Sequence, residues 1–450
     1  MSEFKIPVQP EKRRSRNFNE VVLGYNRKIA LEEARRCPQC TSATCSNECP
    51  LDVDIPGFVR FIREGQLQSA YKLITEENCL PSVCGRICSA PCENVCIESN
   101  RISVRALERF AADSYRSPFL RRPPMKQRGK KIAIIGSGPS GLAAAHSLAQ
   151  KKYQVTIFEA FDKPGGVLRY GVPEFRVPKK MLDNDISQIN NLGVQIKTHC
   201  FVGQTITVDE LFEDGFAAIL IATGAGTPKF MDLPGANIAG VYYGEEFLMR
   251  VNLTRANIFA RYNPSFILGD HVAVIGSGNT ALDCARAAVR FGREVSLVFR
   301  RTEEEMRVKE IERILGKEEG VHFEPLIRPV EILPDQNNFV GGLKCVRMDY
   351  ADMDSTGKWE LIEVPDSVFE MNVDTVIIAV GHKPNSLLTH NISGLKLNKS
   401  GTIKIDEDDG TTSVEGIFAS GNVVTNAGPL LHAMVSGKHA ADDIDRYLKK

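Results

Sequence analysis

No apolar run in this sequence approaches the roughly 18 residues that a membrane span requires. The longest candidate, Phe216 to Thr223, is short and closes on glycine, so a membrane protein is not expected. Neither sign of charge is in excess. The chain has 56 basic and 56 acidic residues, which argues against nucleic acid or an anionic membrane as a partner. The stretch MSEFKIPVQPEKRRSRNF lacks the apolar centre of a secretory signal, and a cytoplasmic location is expected. The eight histidines show no metal-ligand spacing. Cysteine is nearly missing from the C-terminal three hundred or so residues, where Cys200, Cys284 and Cys345 form no CxxC. That speaks against a disulfide-reducing pair in the body of the protein.

What is there is concentrated. Nine of the twelve cysteines lie between residues 37 and 96, eight of them in two runs. One reads Cys37-x2-Cys40-x4-Cys45-x3-Cys49-Pro50, the other Cys84-x3-Cys88-x3-Cys92-x3-Cys96. In a reducing compartment such spacing suits metal ligands better than disulfides. Zinc and iron–sulfur clusters are the alternatives. Only one true CxxC is present, which disfavours zinc. Spacing alone would assign four ligands to each run.

Residues 1 to about 116 read as mostly helical, with apolar residues at helical spacing over Asn26 to Arg36, Ile55 to Glu64 and Val104 to Tyr115. Pro38, Pro50, Pro81 and Pro91 keep the cysteine runs out of long regular elements. The proline-rich, basic stretch Ser117 to Lys131 reads as a linker. Beyond it a strand–glycine loop–helix–strand unit occurs twice, as GSGPSG from Gly136 and GSGNTA from Gly276, 140 residues apart. This duplication predicts two parallel-sheet nucleotide units.

In the first unit Gly136 allows the tight turn, Gly138 close approach of a pyrophosphate, and Gly141 close helix packing; Pro139 and Ser140 complete the loop. Glu159 ends the next strand, where a carboxylate accepts from ribose hydroxyls. In the second unit, Gly276, Gly278, Asn279, Thr280 and Ala281 repeat the loop. The counterpart of Glu159 is Phe299, followed by Arg300 and Arg301, a pair suited to a 2′-phosphate. The first site therefore suits FAD and the second NADP(H), with NAD(H) as the alternative. Two further strands close on Gly224 and Gly381, where backbone could pass near a nucleotide. The segment Gly416 to His439 is expected to return and complete the first unit.

The order RNFNEVVLGY, EEARRCPQC, LPSVCGRIC, LERFAAD, GSGPSGLAAA, FEAFDKPGGVLRYGVPEFRVPK, ATG, GSGNTALDCARAA, FRR and ASGN resembles the small subunit of NADPH-dependent glutamate synthase. It also resembles the N-terminal half of dihydropyrimidine dehydrogenase and the large subunit of NADH-dependent ferredoxin:NADP oxidoreductase. The resemblance covers essentially the whole chain. It implies an α/β protein in which an N-terminal helical iron–sulfur domain (1–125) precedes two Rossmann-like domains. The FAD domain (126–250 and 384–450) would hold the NAD(P) domain (251–383) as an insertion. It also implies two [4Fe–4S] clusters, one on Cys37, Cys40, Cys45 and Cys96, the other on Cys49, Cys88, Cys92 and Glu108. Cys79 and Cys84 are left as packed thiols. Gly166 and Arg169 would wrap the flavin, while Gly421-Asn422 departs from the usual Gly-Asp and removes a negative charge there.

The implied activity is hydride transfer from NADPH to FAD, followed by single electrons passing through the clusters to a larger catalytic or electron-accepting subunit. No protein acid, base or nucleophile is required. A subunit of a ferredoxin-linked, electron-bifurcating complex is the alternative function, and a non-catalytic assembly protein is a third reading that the intact glycine loops oppose.

Overall fold

The computed structural model describes residues 6–115, 129–254, 267–353, 359–406, 410–426 and 428–450. Residues 117–128 of the expected linker lie outside them. The N-terminal part is helical where its apolar periodicity is helical. Helix Arg27–Arg36 starts at Asn26, whose side chain accepts from the Ile29 N–H, and Ile55–Arg63 starts at Asp54, which accepts from Gly57. Each cap pairs an N–H that the first turn leaves without an intrahelical partner. Ile55–Arg63 buries Phe58, Val59 and Ile62, and Val104–Ser114 buries Leu107 and Ala111. Between them the cysteine runs hold only short helices, Thr44–Asn47, Pro81–Ile87 and Pro91–Asn94.

The body contains two parallel five-stranded sheets. The first runs in the order Ile417–Ala419, Phe216–Ile221, Lys131–Ile135, Gln154–Phe158, Gln195–Lys197. Its central strands are near-continuous apolar runs because helices cover both faces of such a sheet. Ile417–Ala419 pairs with Ile219–Ile221, so the chain leaves this unit and comes back to it, as expected. The second sheet runs in the order Val241–Tyr243, Thr375–Ile378, His271–Ile275, Glu294–Val298, Val321–Glu324. It thus begins ahead of residue 251. The two passages between units lie side by side, Thr227–Pro228 pairing antiparallel with His382–Lys383.

One feature was not foreseen. An antiparallel sheet of Ile327–Pro334, Val340–Met353, Trp359–Glu363 and Phe369–Met371 interrupts the second unit. Along Ile327–Pro334 burial alternates only loosely, a weak signal beside the parallel strands.

The helical head shares one apolar core with the first unit: Ile62, Leu80 and Leu107 belong with Ile134, Leu142 and Ile444. The C-terminal helix Leu430–Lys449 lies so close to helix Pro139–Gln150 that a Cβ at Gly437 would overlap the Ser140 carbonyl. Among the described residues no helix is long and apolar enough to cross a membrane.

Candidate functional site

The head sorts its thiols by space, not by run. Cys37, Cys40, Cys45 and Cys96 line one cavity, walled by Pro38, Ile55, Val59, Ile102 and Val104. Burial raises the Cys37 and Cys45 pKa values, and the fields of neighbouring thiols, Cys96 among them, raise them further. Gln39 Nε2 donates to Cys37 Sγ at 3.4 Å.

Cys49, Cys88 and Cys92 face a different group. Burial is the main cause of the rise in each thiol's pKa, to about 12 for Cys88, and the Glu108 charge adds to all three. The Ala90 N–H donates to Cys88 Sγ at 3.2 Å. Glu108, on helix Val104–Ser114, is buried, and its Oε1 accepts from Asn78 Nδ2 at 2.6 Å. Burial lifts its pKa to about 7 against the lowering effect of Asn78. Such a carboxyl is costly to bury without a cationic partner. Cys79 and Cys84 are fully buried, and Cys84 Sγ lies 3.8 Å from Met434 Sδ on the C-terminal helix. Among the described residues no three metal-binding side chains converge on a single ion position; the first four thiols surround a cavity instead. Four soft thiol donors around an apolar-walled cavity fit an iron–sulfur cluster, and the Cys49, Cys88 and Cys92 thiols with the Glu108 carboxyl form a second candidate set.

The first glycine loop is built by close approach. A Cβ at Gly136 would lie 2.6 Å from the Ala222 carbonyl oxygen, and one at Gly141 would overlap the Gly136 oxygen. At Gly138 the space is open, with nothing within 4 Å, and the same holds at Gly224. Gly166 packs against Gly138, where an added Cβ would meet its Cα at 2.8 Å. Gly421 packs on Ser140, whose Oγ lies 2.6 Å from Ser420 Oγ. Pro139 opens the helix that carries Ser140. Glu159 is buried, and it accepts from the Ser137 N–H at 3.0 Å, from the Ser137 hydroxyl, and from the Phe161 N–H at 3.0 Å. Arg169 donates to the Pro164 carbonyl at 2.5 Å and pairs with Asp183, so it braces the segment after Gly165-Gly166. Asn422 Oδ1 is buried without a partner among the described residues. That orphaned acceptor beside an open glycine loop fits a hydroxyl-bearing cofactor such as FAD.

The second loop repeats the device. A Cβ at Gly276 would overlap the Ala379 carbonyl oxygen, while Gly278 and Gly381 face open space. Asn279 and Thr280 begin helix Asn279–Arg290. Arg300 and Arg301 are exposed beyond the strand end, and Glu305 in the next turn accepts from Thr302 N–H at 3.1 Å and from the Tyr350 hydroxyl. Two guanidinium groups at this strand end fit a 2′-phosphate. His382, beside Gly381, has Nδ1 2.7 Å from Glu245 Oε1.

Sequence reasoning missed the residues that join these parts. Phe175 and Arg176 follow Gly166 by ten residues or fewer but insert into the second unit. Phe175 lies under the guanidinium of Arg290, 3.9 Å away, and Arg176 pairs with Asp283. Lys309, also in the second unit, donates to the Cys88 carbonyl at 2.8 Å. Burial, then the charge of Arg105, lowers its pKa to about 8. No local pattern marks it. Ser137 could have been found, since it lies inside the glycine loop.

Residues 130–437 match the family model described as pyridine nucleotide-disulphide oxidoreductase, and residues 14–118 match dihydropyrimidine dehydrogenase domain II, 4Fe-4S cluster. The NADP(+)-dependent formate dehydrogenase subunit beta of Moorella thermoacetica is 36% identical over 91% of this chain, which spans only 60% of that protein. The glutamate synthase [NADPH] small chain of Azospirillum brasilense is 30% identical over 98% of this chain and 94% of its own length. Among solved structures, Mycobacterium tuberculosis FprA in complex with NADPH superposes with a TM-score of 0.58 at 18% identity, over 72% of this chain and 85% of that one. The last likeness concerns the fold. The chain belongs to the pyridine nucleotide-disulphide oxidoreductase family and, within it, to the relatives of the glutamate synthase small chain.

Proposed function

We propose that this chain is the NADPH-oxidising, electron-delivering subunit of a larger cytoplasmic complex. The observation that carries the reading is the pairing of an open glycine loop and a buried carboxylate in one unit with an open glycine loop and two exposed arginines in the other. Gly136, Gly138, Ser140, Gly141, Glu159, Gly166, Gly224, Gly421 and Asn422 would hold FAD. Gly276, Gly278, Asn279, Thr280, Arg300, Arg301 and Gly381 would hold NADP(H). Cys37, Cys40, Cys45 and Cys96 would hold one [4Fe–4S] cluster, and Cys49, Cys88, Cys92 and Glu108 a second. Bound there, FAD would supply two-electron acceptance from NADPH and one-electron release, and the clusters would supply one-electron transfer.

The residues have positional and electrostatic roles. Glu159 orients a ribose, and the helix beginning at Pro139 turns its N–H groups toward a pyrophosphate. Asn422 offers an acceptor without the charge of an aspartate. Arg300 and Arg301 select the 2′-phosphate. The apolar walls of the head keep water from the thiolates and so act on their potential. The proposed partner is a larger subunit that accepts electrons, since relatives are named as a subunit beta and a small chain.

Anaerobic purification tests this. The chain should carry FAD and iron in the amounts expected for two clusters, and NADPH should bleach the flavin. The Arg300→Ala/Arg301→Ala variant should raise KM for NADPH at least tenfold more than KM for NADH. Equal effects on both would contradict the 2′-phosphate assignment, and a protein colourless after reconstitution would contradict the whole reading.

A further inference from the structure

The second nucleotide unit touches the head at several polar points: Arg14 pairs with Glu318 and Glu319, Arg290 Nε donates to the Asn17 carbonyl at 2.9 Å, and a further contact reaches the cysteine runs. Lys309, immediately before helix Glu310–Glu318, places Nζ 2.8 Å from the carbonyl oxygen of Cys88. Arg105 reaches the same oxygen from the head, its Nη1 at 3.3 Å, and also the Arg86 carbonyl at 3.4 Å. Two cationic groups from different parts of the chain thus converge on the backbone of one thiol-bearing residue. The other charges facing Lys309 are Glu93, whose Oε1 accepts from the Arg105 N–H at 2.8 Å, and Glu312. The Cys88 set carries Glu108 where the other set has a fourth thiol, and it is the more deeply enclosed of the two.

We infer that Lys309 is a positioning residue for the Cys49, Cys88, Cys92 and Glu108 centre, through which the nucleotide unit raises that centre's reduction potential. The inference rests on the cluster assignment proposed above. Reduction adds an electron to a buried centre, so a nearby fixed cation stabilises the reduced form more than the oxidised form. The cation comes from the nucleotide unit, ten residues beyond Phe299, and acts at short range, where little water screens it. Among the described residues no hydrogen bond joins Lys309 to the Cys37, Cys40, Cys45 and Cys96 centre, which provides an internal control.

The test is a potentiometric titration of the holoprotein at pH 7, followed by electron paramagnetic resonance, on wild type, Lys309→Met and Lys309→Arg. Flavin content and circular dichroism check that each variant is folded. In Lys309→Met the signal of the Cys88 centre should move to lower potential while the other stays in place, and Lys309→Arg should remain close to wild type. No shift, equal shifts in both centres, or a Lys309→Arg variant that behaves like Lys309→Met would overturn the inference. A wild type with only one cluster would overturn the cluster assignment itself. Two clusters without the selective shift would overturn the role of Lys309 alone.

Discussion

Arg176 Nη1 lies 2.9 Å from Asp283 Oδ2, and both side chains are nearly enclosed. Arg176 belongs to the segment that begins at Gly165-Gly166 in the first unit, and Asp283 to the helix that follows the second glycine loop. With Phe175 inserted beside it against Arg286 and Arg290, the pair holds the two nucleotide units in one arrangement. Burial raises the Asp283 pKa, and the Arg176 charge opposes that rise. Without Arg176, Asp283 would keep its desolvation cost with the Arg286 charge left to oppose it.

Arg176→Met should accordingly destabilise the protein by about 3–5 kcal/mol, the usual consequence of orphaning a buried charge. Arg176→Met/Asp283→Leu should recover most of that loss. Denaturant unfolding of both variants measures it, and a double variant no more stable than the single one would show that the pair is not coupled.

Two of the three glycines of the first loop should respond differently to alanine. At Gly141 an added methyl meets the Gly136 carbonyl, so Gly141→Ala should lower the Tm of the cofactor-free protein. Gly138 has φ −69° and open space around it, so Gly138→Ala should leave that Tm unchanged yet retain less FAD after dialysis. A Gly138→Ala protein that keeps its flavin like wild type would contradict pyrophosphate approach at this residue.

Cys45 and Cys49 are four residues apart but face different sets of partners. Cys96→Ala should remove the cluster signal associated with Cys45, and Cys49→Ala the other one, each leaving the remaining signal intact. If Cys49→Ala, and not Cys96→Ala, abolishes the signal that Cys45→Ala abolishes, the clusters divide by runs instead.

His146 supplies a pH dependence. It is 7% exposed on helix Pro139–Gln150, facing Gln150, the Thr75 backbone and the Lys438 charge. Burial, then Lys438, lowers its pKa from 6.5 to about 4. Between these values the unfolded chain binds more protons than the folded one, so stability rises with pH across the window and is lost as pH falls through it. The full effect is about 3–4 kcal/mol, at roughly 1.4 kcal/mol for each pH unit of displacement. His146→Gln should flatten the Tm profile between pH 4 and 6.5; an unchanged slope would assign the acid sensitivity elsewhere.

Much of the body was legible because its signals are local. Lys131–Ile135, the Gly136 turn and the alanine-rich helix after it lie within twenty residues, and their apolar periodicity reports burial directly. The antiparallel sheet from Ile327 to Met371 was not legible, since its strands alternate weakly and carry many charges.

The sequence by itself determined the chemistry on offer: thiolates in a head, two glycine loops, a carboxylate after one and arginines after the other. Tertiary structure decided which of these act together. Cys96 stands with Cys37 rather than Cys92, Arg176 reaches Asp283, and Lys309 reaches Cys88, across separations of 59, 107 and 221 residues. Helical and strand periodicity reports which face of an element is buried, not what it is buried against. Those partners are chosen by packing of the whole chain, so local periodicity and spacing could not name them.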